Sequence, residues 1–177
     1  MSVPATVIAN AGPLIALGKL NRLQLLADLY GVVRTPEDVY DEVVHQGLAR
    51  GEPDARVVDR FWRRQRWPID VVTPAALDSL RVNAQLDRGE RAVFALALQL
   101  SPALVLIDDA AARAEARRKG LPAHGTLGVL ARAYRQDLIA FGEVEFLVGE
   151  LAARVDIWIS PALCRRVLDE LRRINVG

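Results

Sequence analysis

The run Leu104-Val105-Leu106-Ile107-Asp108-Asp109 decides the fold, because an uninterrupted apolar stretch stops there at two carboxylates. The run Thr6-Val7-Ile8-Ala9-Asn10 repeats the arrangement near the start of the chain. Short apolar runs that end at polar residues and lead into helical patterns are typical of parallel strands covered on both faces. Such sheets bind ligands at the carboxyl ends of their strands, so we expect Asn10, Asp108 and Asp109 to face one crevice.

Strand and helix patterns alternate along the rest of the chain and predict an α/β fold around a mostly parallel sheet. A length of 177 residues fits a single domain, 1–177, whose core needs no disulfide. The predicted strands span residues 6–9, 32–33, 69–72, 104–107 and 122–124. The predicted helices span residues 13–20, 23–30, 36–46, 54–65, 87–100, 110–119, 127–136, 143–153 and 161–173, and residues 47–53 form a loop.

The composition is that of a compact protein, with 51% hydrophobic and 25% charged residues. A net charge of +1 excludes the strong basic bias of a dedicated nucleic-acid binder. The chain has neither a membrane-spanning apolar stretch nor a signal-peptide pattern, so we expect a cytoplasmic protein. Cys164 is the only cysteine, which excludes an intrachain disulfide and a cysteine-based zinc site.

Asp108 is the strongest candidate for a functional residue. A carboxylate directly after a buried strand is costly unless it is capped, paired or bound to a ligand. The same reasoning applies to Asp109, but Asp109 also precedes the helix predicted at 110–119 and could simply cap its N-terminus. The sequence leaves ligand and cap open for Asp109.

Two glutamates could join this crevice. Glu90 completes a capping box with Asp87, yet its spacing from Val93 and Phe94 also places it on the inward face of its helix. Glu42 lies closer to the apolar face of its helix than its neighbour Asp41 does. A cluster of such carboxylates is typical of sites for a hard divalent cation.

Other polar segments favour structural roles. Gly125-Thr126 predicts a tight turn into a helix, whose N–H groups could hold a phosphate but more often only end a strand. The basic and aromatic segment 60–67 could stack bases, but an amphipathic helix burying its apolar face, or a dimer contact, is the favoured interpretation. His45 and His124 are too few and too far apart in sequence to predict a histidine metal site.

Together these segments resemble the PIN-domain nucleases, specifically a PIN-like branch of uncharacterised prokaryotic proteins (DUF3368-type) related to VapC toxins. The resemblance spans nearly the whole chain and rests on five pieces in order. They are Val7-Ile8-Ala9-Asn10-Ala11-Gly12-Pro13-Leu14-Ile15, Pro36-x-x-Val39-x-x-Glu42-Val43, Gly89-Glu90, Leu106-Ile107-Asp108-Asp109 and Gly125-Thr126-Leu127-Gly128.

The resemblance implies a three-layer α/β/α sandwich whose acidic crevice binds one or two Mg²⁺ or Mn²⁺ ions and cleaves single-stranded RNA. By position, Asp108 and Glu90 would be the principal metal ligands, Glu42 a ligand or water-orienting carboxylate, and Asn10 their partner. Thr126 would bind a substrate phosphate or hydrogen-bond a water near the metal. The resemblance further implies a toxin inhibited by a small antitoxin protein, and a homodimer.

The chain departs from the general PIN pattern in two places. Asn10 stands where the pattern has aspartate, and Gly12 stands where it has a hydroxyl residue. An amide oxygen can bind a cation but brings no charge, so we expect weaker metal binding, partly offset by Asp109. The alternative is a catalytically weakened module that binds RNA or a partner protein without cleaving RNA. A phosphoacceptor domain is disfavoured, because such domains carry their acidic pair after the first strand.

Overall fold

The central sheet consists of parallel strands, as the sequence predicts. The computed structural model describes residues 6–82 and 85–175, so the ends of the predicted domain, 1–5 and 176–177, lie outside the described residues. The strands are β1 (Thr6–Ala9), β2 (Thr35–Pro36), β3 (Ile69–Asp70), β4 (Ala103–Leu106) and β5 (Ala123–His124). Strand β4 pairs in parallel with β1 on one side and β5 on the other, and β2 pairs in parallel with β3.

Backbone hydrogen bonds to Arg34 join the two groups of strands. The Ala9 N–H donates to the Arg34 carbonyl and the Arg34 N–H donates to the Val7 carbonyl, both at 2.9 Å. The spatial order is therefore β3-β2-β1-β4-β5. The chain moves outward from β1 to β3 and then returns to the other side of β1 with β4. In open α/β sheets this switch point between neighbouring strands is where a crevice for ligands forms.

Helices cover both faces of the sheet and complete the three-layer α/β/α architecture. Helix α7 packs on β1, β2 and β4, whereas α1 packs against α5 and α9. The helices are α1 (Ala11–Lys19), α2 (Gln24–Tyr30), α3 (Glu37–Tyr40), α4 (Gly47–Ala49), α5 (Pro53–Gln65), α6 (Pro74–Ser79), α7 (Arg88–Gln99), α8 (Ala110–Arg118), α9 (Thr126–Arg135), α10 (Phe141–Ala153) and α11 (Pro161–Asn175). A π-helical segment, Asp41–Gln46, joins α3 to α4 without a break.

Burial explains the composition of the two central strands. Val7, Ile8 and Ala9 in β1 and all four residues of β4 are buried, because helices lie on both sides of them. Among the described helices, none is both long enough and apolar enough to cross a membrane.

Four local predictions need correction. Residues 32–33 form no strand: Val32 is exposed, and the backbone that pairs with β1 belongs to Arg34, whose side chain binds Asp70. Part of the predicted loop 47–53 is helical, because α4 continues the preceding helix. Helix α6 was not predicted. In α11 the spacing of Leu163, Val167, Leu171 and Ile174 predicts one buried stripe, but the stripe is incomplete: Leu171 is buried, Leu163 and Val167 are partly buried, and Ile174 at the end of the helix is exposed.

Segment 60–67 follows the favoured interpretation. Phe61, Trp62 and Trp67 are buried and contact one another edge to face. The amphipathic pattern of the helix predicted at 54–65 also places Val57 on the buried face, but Val57 is partly exposed. The aromatic rings therefore stabilise the core and do not face bound bases.

Gly47 provides a test of how closely α4 and α5 pack. A Cβ at Gly47 would lie 2.8 Å from the Ala55 Cβ, whereas a Cβ at Gly149 within α10 would meet nothing within 4 Å. We expect Gly47→Ala to lower the free energy of unfolding by about 1–3 kcal/mol through overpacking. The control Gly149→Ala should raise it by about 0.5–1 kcal/mol, because alanine favours the helix. Urea unfolding measures both, and equal effects would contradict the close packing.

Candidate active site

Asp108 lies two residues beyond the end of β4 and is held by Thr126. The Thr126 N–H donates to Asp108 Oδ1 at 2.6 Å, and the Thr126 hydroxyl donates to Asp108 Oδ2 at 2.7 Å. Burial raises the pKa of Asp108, while these hydrogen bonds and the charge of Arg113 oppose the rise. Both donors of Thr126 are used by Asp108, so in this structure Thr126 orients the Asp108 carboxylate.

Two glycines allow the Asp108 carboxylate to occupy this position. A Cβ at Gly125 would lie 2.8 Å from Asp108 Oδ1, and a Cβ at Gly12 would lie 3.1 Å from Oδ2. The Arg113 side chain also lies against this segment, where it donates hydrogen bonds to the backbone carbonyls of Ile107 and Asp108. The carboxylate therefore has little freedom to move.

Asn10 follows β1 and lies next to this carboxylate in the sheet. Its backbone N–H donates to the Leu106 carbonyl at 2.9 Å, which fixes it beside the end of β4. The residue is 8% exposed, and its Oδ1 is buried without a hydrogen-bond partner among the described residues. A buried oxygen without a partner costs about 1–3 kcal/mol and calls for a specific explanation.

Glu90 belongs to the N-terminal cap of α7 and also lines the crevice. The Glu90 N–H donates to Asp87 Oδ1 at 2.8 Å, and the Asp87 N–H donates to Glu90 Oε2 at 3.1 Å, which completes the predicted capping box. Burial raises the pKa of Glu90 to about 7; the Asp87 N–H opposes the rise, and the charges of Asp87, Asp109 and Glu42 add to it. The cap and ligand interpretations are therefore compatible.

Glu42 reaches the same cluster from the π-helical segment. Its Oε2 would lie 3.3 Å from a Cβ at Gly89, at the start of α7. Burial and then the charge of Asp87 raise the pKa of Glu42, and Arg50 opposes the rise. Short π-helical insertions occur frequently at functional sites, where they change the direction in which side chains point.

Asp109 caps α8, as the sequence allows. Its Oδ1 accepts the Ala112 N–H at 2.7 Å, and the residue is exposed. Its charge nevertheless raises the pKa of Glu90, so it belongs to the same electrostatic cluster.

These side chains line one cleft of about 350 Å³ at the switch point between β1 and β4. The polar residues of this acidic cleft are Asn10, Glu42, Asp87, Glu90, Asp108, Asp109 and Asp156. Thr126 lies behind Asp108, and His124 does not line the cleft. Sequence reasoning treated Asp87 only as a cap and missed Asp156 and Trp158, which come from the loop between α10 and α11.

The match to a family model agrees with this architecture. The model of the DUF3368 family, described as a PIN domain, matches residues 6–173. That range contains every strand and all the residues of the acidic cleft. The chain is a PIN domain. No curated protein matches the chain.

PIN domains are in general nucleases and usually use divalent metals. The unpartnered Asn10 oxygen beside Asp108 fits a hard cation, which prefers oxygen ligands. However, within residues 6–82 and 85–175 no three His, Cys, Asp or Glu side chains stand close enough to hold a metal ion. The cleft thus offers the oxygen ligands that a hard cation prefers, but the described part of this PIN domain has no preformed group of three carboxylates around one position.

Glu90 should make the stability of this PIN domain depend on pH. Its pKa is about 7 in the folded protein against an ordinary value of 4.5, so the folded state binds more protons between these pH values. Stability is therefore lost as pH rises from about 4.5 to 7. Glu90→Gln keeps the capping box but cannot ionise, so it should stabilise the protein by about 2–3 kcal/mol at pH 8 and little at pH 4.5.

Chemical unfolding of both proteins at the two pH values, without divalent metal, measures this difference. Glu150→Gln on the exposed surface of α10 is the control and should change stability little at either pH. A Glu90→Gln variant that is equally affected at pH 4.5 and pH 8 would contradict the raised pKa.

Proposed function

We propose that this PIN domain is a divalent-metal-dependent ribonuclease that cleaves single-stranded RNA. The observation that carries the proposal is the acidic cleft at the switch point, where the unpartnered Asn10 oxygen lies beside Asp108. Burial and, after it, repulsion from neighbouring carboxylates raise the pKa of Glu42 and of Glu90, and a cation would relieve this repulsion.

The proposed metal ligands come from the ends of the central strands and from the helices beside them. Asp108 and Asn10, at the ends of the two central strands, would hold Mg²⁺ or Mn²⁺, with Glu90 and Glu42 completing the oxygen ligands. A divalent ion bound there would lower the pKa of a water molecule and neutralise charge on a phosphodiester. Thr126 and the two glycines restrict the Asp108 carboxylate, which would keep it available to the ion in one orientation.

Glu90 is a metal ligand that is oriented in advance. Burial raises the pKa of Glu90 to about 7 in the metal-free cleft, so binding of the cation to its carboxylate would release a proton near neutral pH. Its helix cap holds one carboxylate oxygen toward the Asp87 N–H, so the side chain is oriented before any substrate arrives. Glu42 is half-buried nearby and would orient a water molecule.

We further propose that the protein acts as the toxin-like component of a toxin–antitoxin pair. The openly accessible acidic cleft would be the surface that a small antitoxin protein blocks by inserting a segment. A homodimer would be the active form. These assignments rest on the PIN-domain resemblance and are tested by co-expression with the product of any short neighbouring gene.

A second candidate function is a PIN-like module that binds RNA or a partner protein without cleaving RNA. Two observations favour it: Asn10 brings no charge, and no group of three carboxylates is preformed among the described residues. Metal binding separates it from the first proposal.

The decisive test is a calorimetric Mn²⁺ titration of the wild type and of two variants. Saturable binding should be present in the wild type and lost in Asp108→Asn, because this substitution removes the best-fixed charge. Asn10→Asp should bind Mn²⁺ about tenfold more tightly, because it adds a charged ligand at a position already beside Asp108. The same Mn²⁺ should support cleavage of a single-stranded RNA and not of a duplex.

Asp28→Asn, an exposed aspartate on α2 that accepts a hydrogen bond from Gln24, is the matched control and should bind Mn²⁺ like the wild type. Circular dichroism without metal checks that each variant is folded. An Mn²⁺ affinity that is the same in all four proteins would overturn the metal site and leave the non-catalytic module as the better description.

A further inference from the structure

Trp158 is the most exposed large aromatic side chain in the described structure. It is 96% exposed, whereas Trp62 and Trp67 are 1% and 6% exposed. It lies in the loop between α10 and α11, next to the acidic cleft. A fully hydrated indole leaves a large apolar surface in water, and such surfaces commonly mark binding sites.

The loop that carries Trp158 is fixed on both sides of the ring. Two residues before it, Asp156 accepts two hydrogen bonds from Arg154, at 2.9 and 3.0 Å, and forms an ion pair with Lys19 of α1 at 3.0 Å. One residue after it, Ile159 is buried. The backbone that carries the indole is therefore held beside the cleft before any ligand binds, which reduces the entropic cost of binding a ligand there.

Trp158 stands between two clefts with different chemistry. One is the acidic cleft; the other is an apolar cleft of about 400 Å³, lined by Leu127, Ile159, Leu163 and Val167. Asp108 and Asp109 line both clefts, so the two are continuous. Arg113 adds a cationic group to the wall of the apolar cleft.

We propose that Trp158 and the apolar cleft form a subsite for an unpaired base of the nucleic-acid substrate. The proposal rests on the proposed function, because a phosphodiester reacting at Asp108 would bring its neighbouring base to the shared wall of the two clefts. An apolar cleft with an exposed aromatic ring at its edge suits the face of a base, and stacking of this kind is tolerant of sequence. A base held in a duplex cannot reach the ring, so this subsite selects single strands.

The test measures RNA binding with no cleavage step. A short, fluorescently labelled single-stranded oligouridine is titrated in Ca²⁺, and its integrity is checked on a gel. Trp158→Ala should weaken binding roughly tenfold, and Trp158→Phe should lose only about threefold, because a phenyl ring still stacks. Binding should also quench the tryptophan fluorescence of the wild type and not that of Trp158→Phe. Phe146→Ala, an exposed aromatic on α10 that lines neither cleft, is the control and should bind like the wild type.

Each result has one meaning. An RNA affinity of Trp158→Ala equal to that of the wild type overturns the subsite. If light scattering then also shows that Trp158→Ala no longer forms a dimer, Trp158 belongs to a dimer contact and the subsite is likewise overturned. Weakened RNA binding by Trp158→Ala supports the subsite even if Mn²⁺ never supports cleavage, in which case only the ribonuclease proposal fails. Cleavage that requires Asp108 but not Trp158, with unchanged RNA affinity, leaves the ribonuclease and removes the subsite.

Discussion

The carboxylate of Asp108 is the group on which the arrangement of the site depends. It lies at the carboxyl end of the central strand β4, where burial opposes its negative charge. The Thr126 N–H and hydroxyl compensate this cost by donating to its two oxygens. A Cβ at Gly125 would lie 2.8 Å from Asp108 Oδ1 and would displace the carboxylate, and a Cβ at Gly12 would lie 3.1 Å from Oδ2 and would shift it slightly. The position of one carboxylate thus explains residues in two other segments of the chain.

The strand order explains why the remaining carboxylates converge. Strands β1 and β4 are neighbours in the sheet but far apart in sequence, so the residues that follow them meet at one crevice. Helix α7 packs on both strands and begins at the same end of the sheet, which brings Asp87 and Glu90 there. The cost appears as raised pKa values of Glu42 and Glu90. Functional sites commonly accept such electrostatic destabilisation.

The sequence predicted most of this frame because strand and helix patterns are local. Continuous apolar runs identified β1 and β4, and the capping box at Glu90 could be recognised from spacing alone. The pairing of Arg34 with β1 could not be predicted, since a two-residue strand has no pattern of its own. The exposure of Trp158 was equally hidden, because Ile157-Trp158-Ile159 has the composition of a buried segment. Tertiary contacts, the ion pair of Asp156 with Lys19 and the burial of Ile159, hold that loop at the cleft.

Asn10 shows how charge and function are balanced in this cleft. An aspartate there would be a seventh carboxylate in the acidic cleft, and as a residue only 8% exposed it would add desolvation to the repulsion already present. The amide avoids that charge, yet its oxygen is still buried without a partner in the described structure. A structural asparagine would be expected to use this oxygen in a hydrogen bond, for example to cap α1, and it makes no such bond. The amide therefore costs less than a carboxylate in this cleft, and its unpartnered oxygen is the atom that the proposed metal site would use.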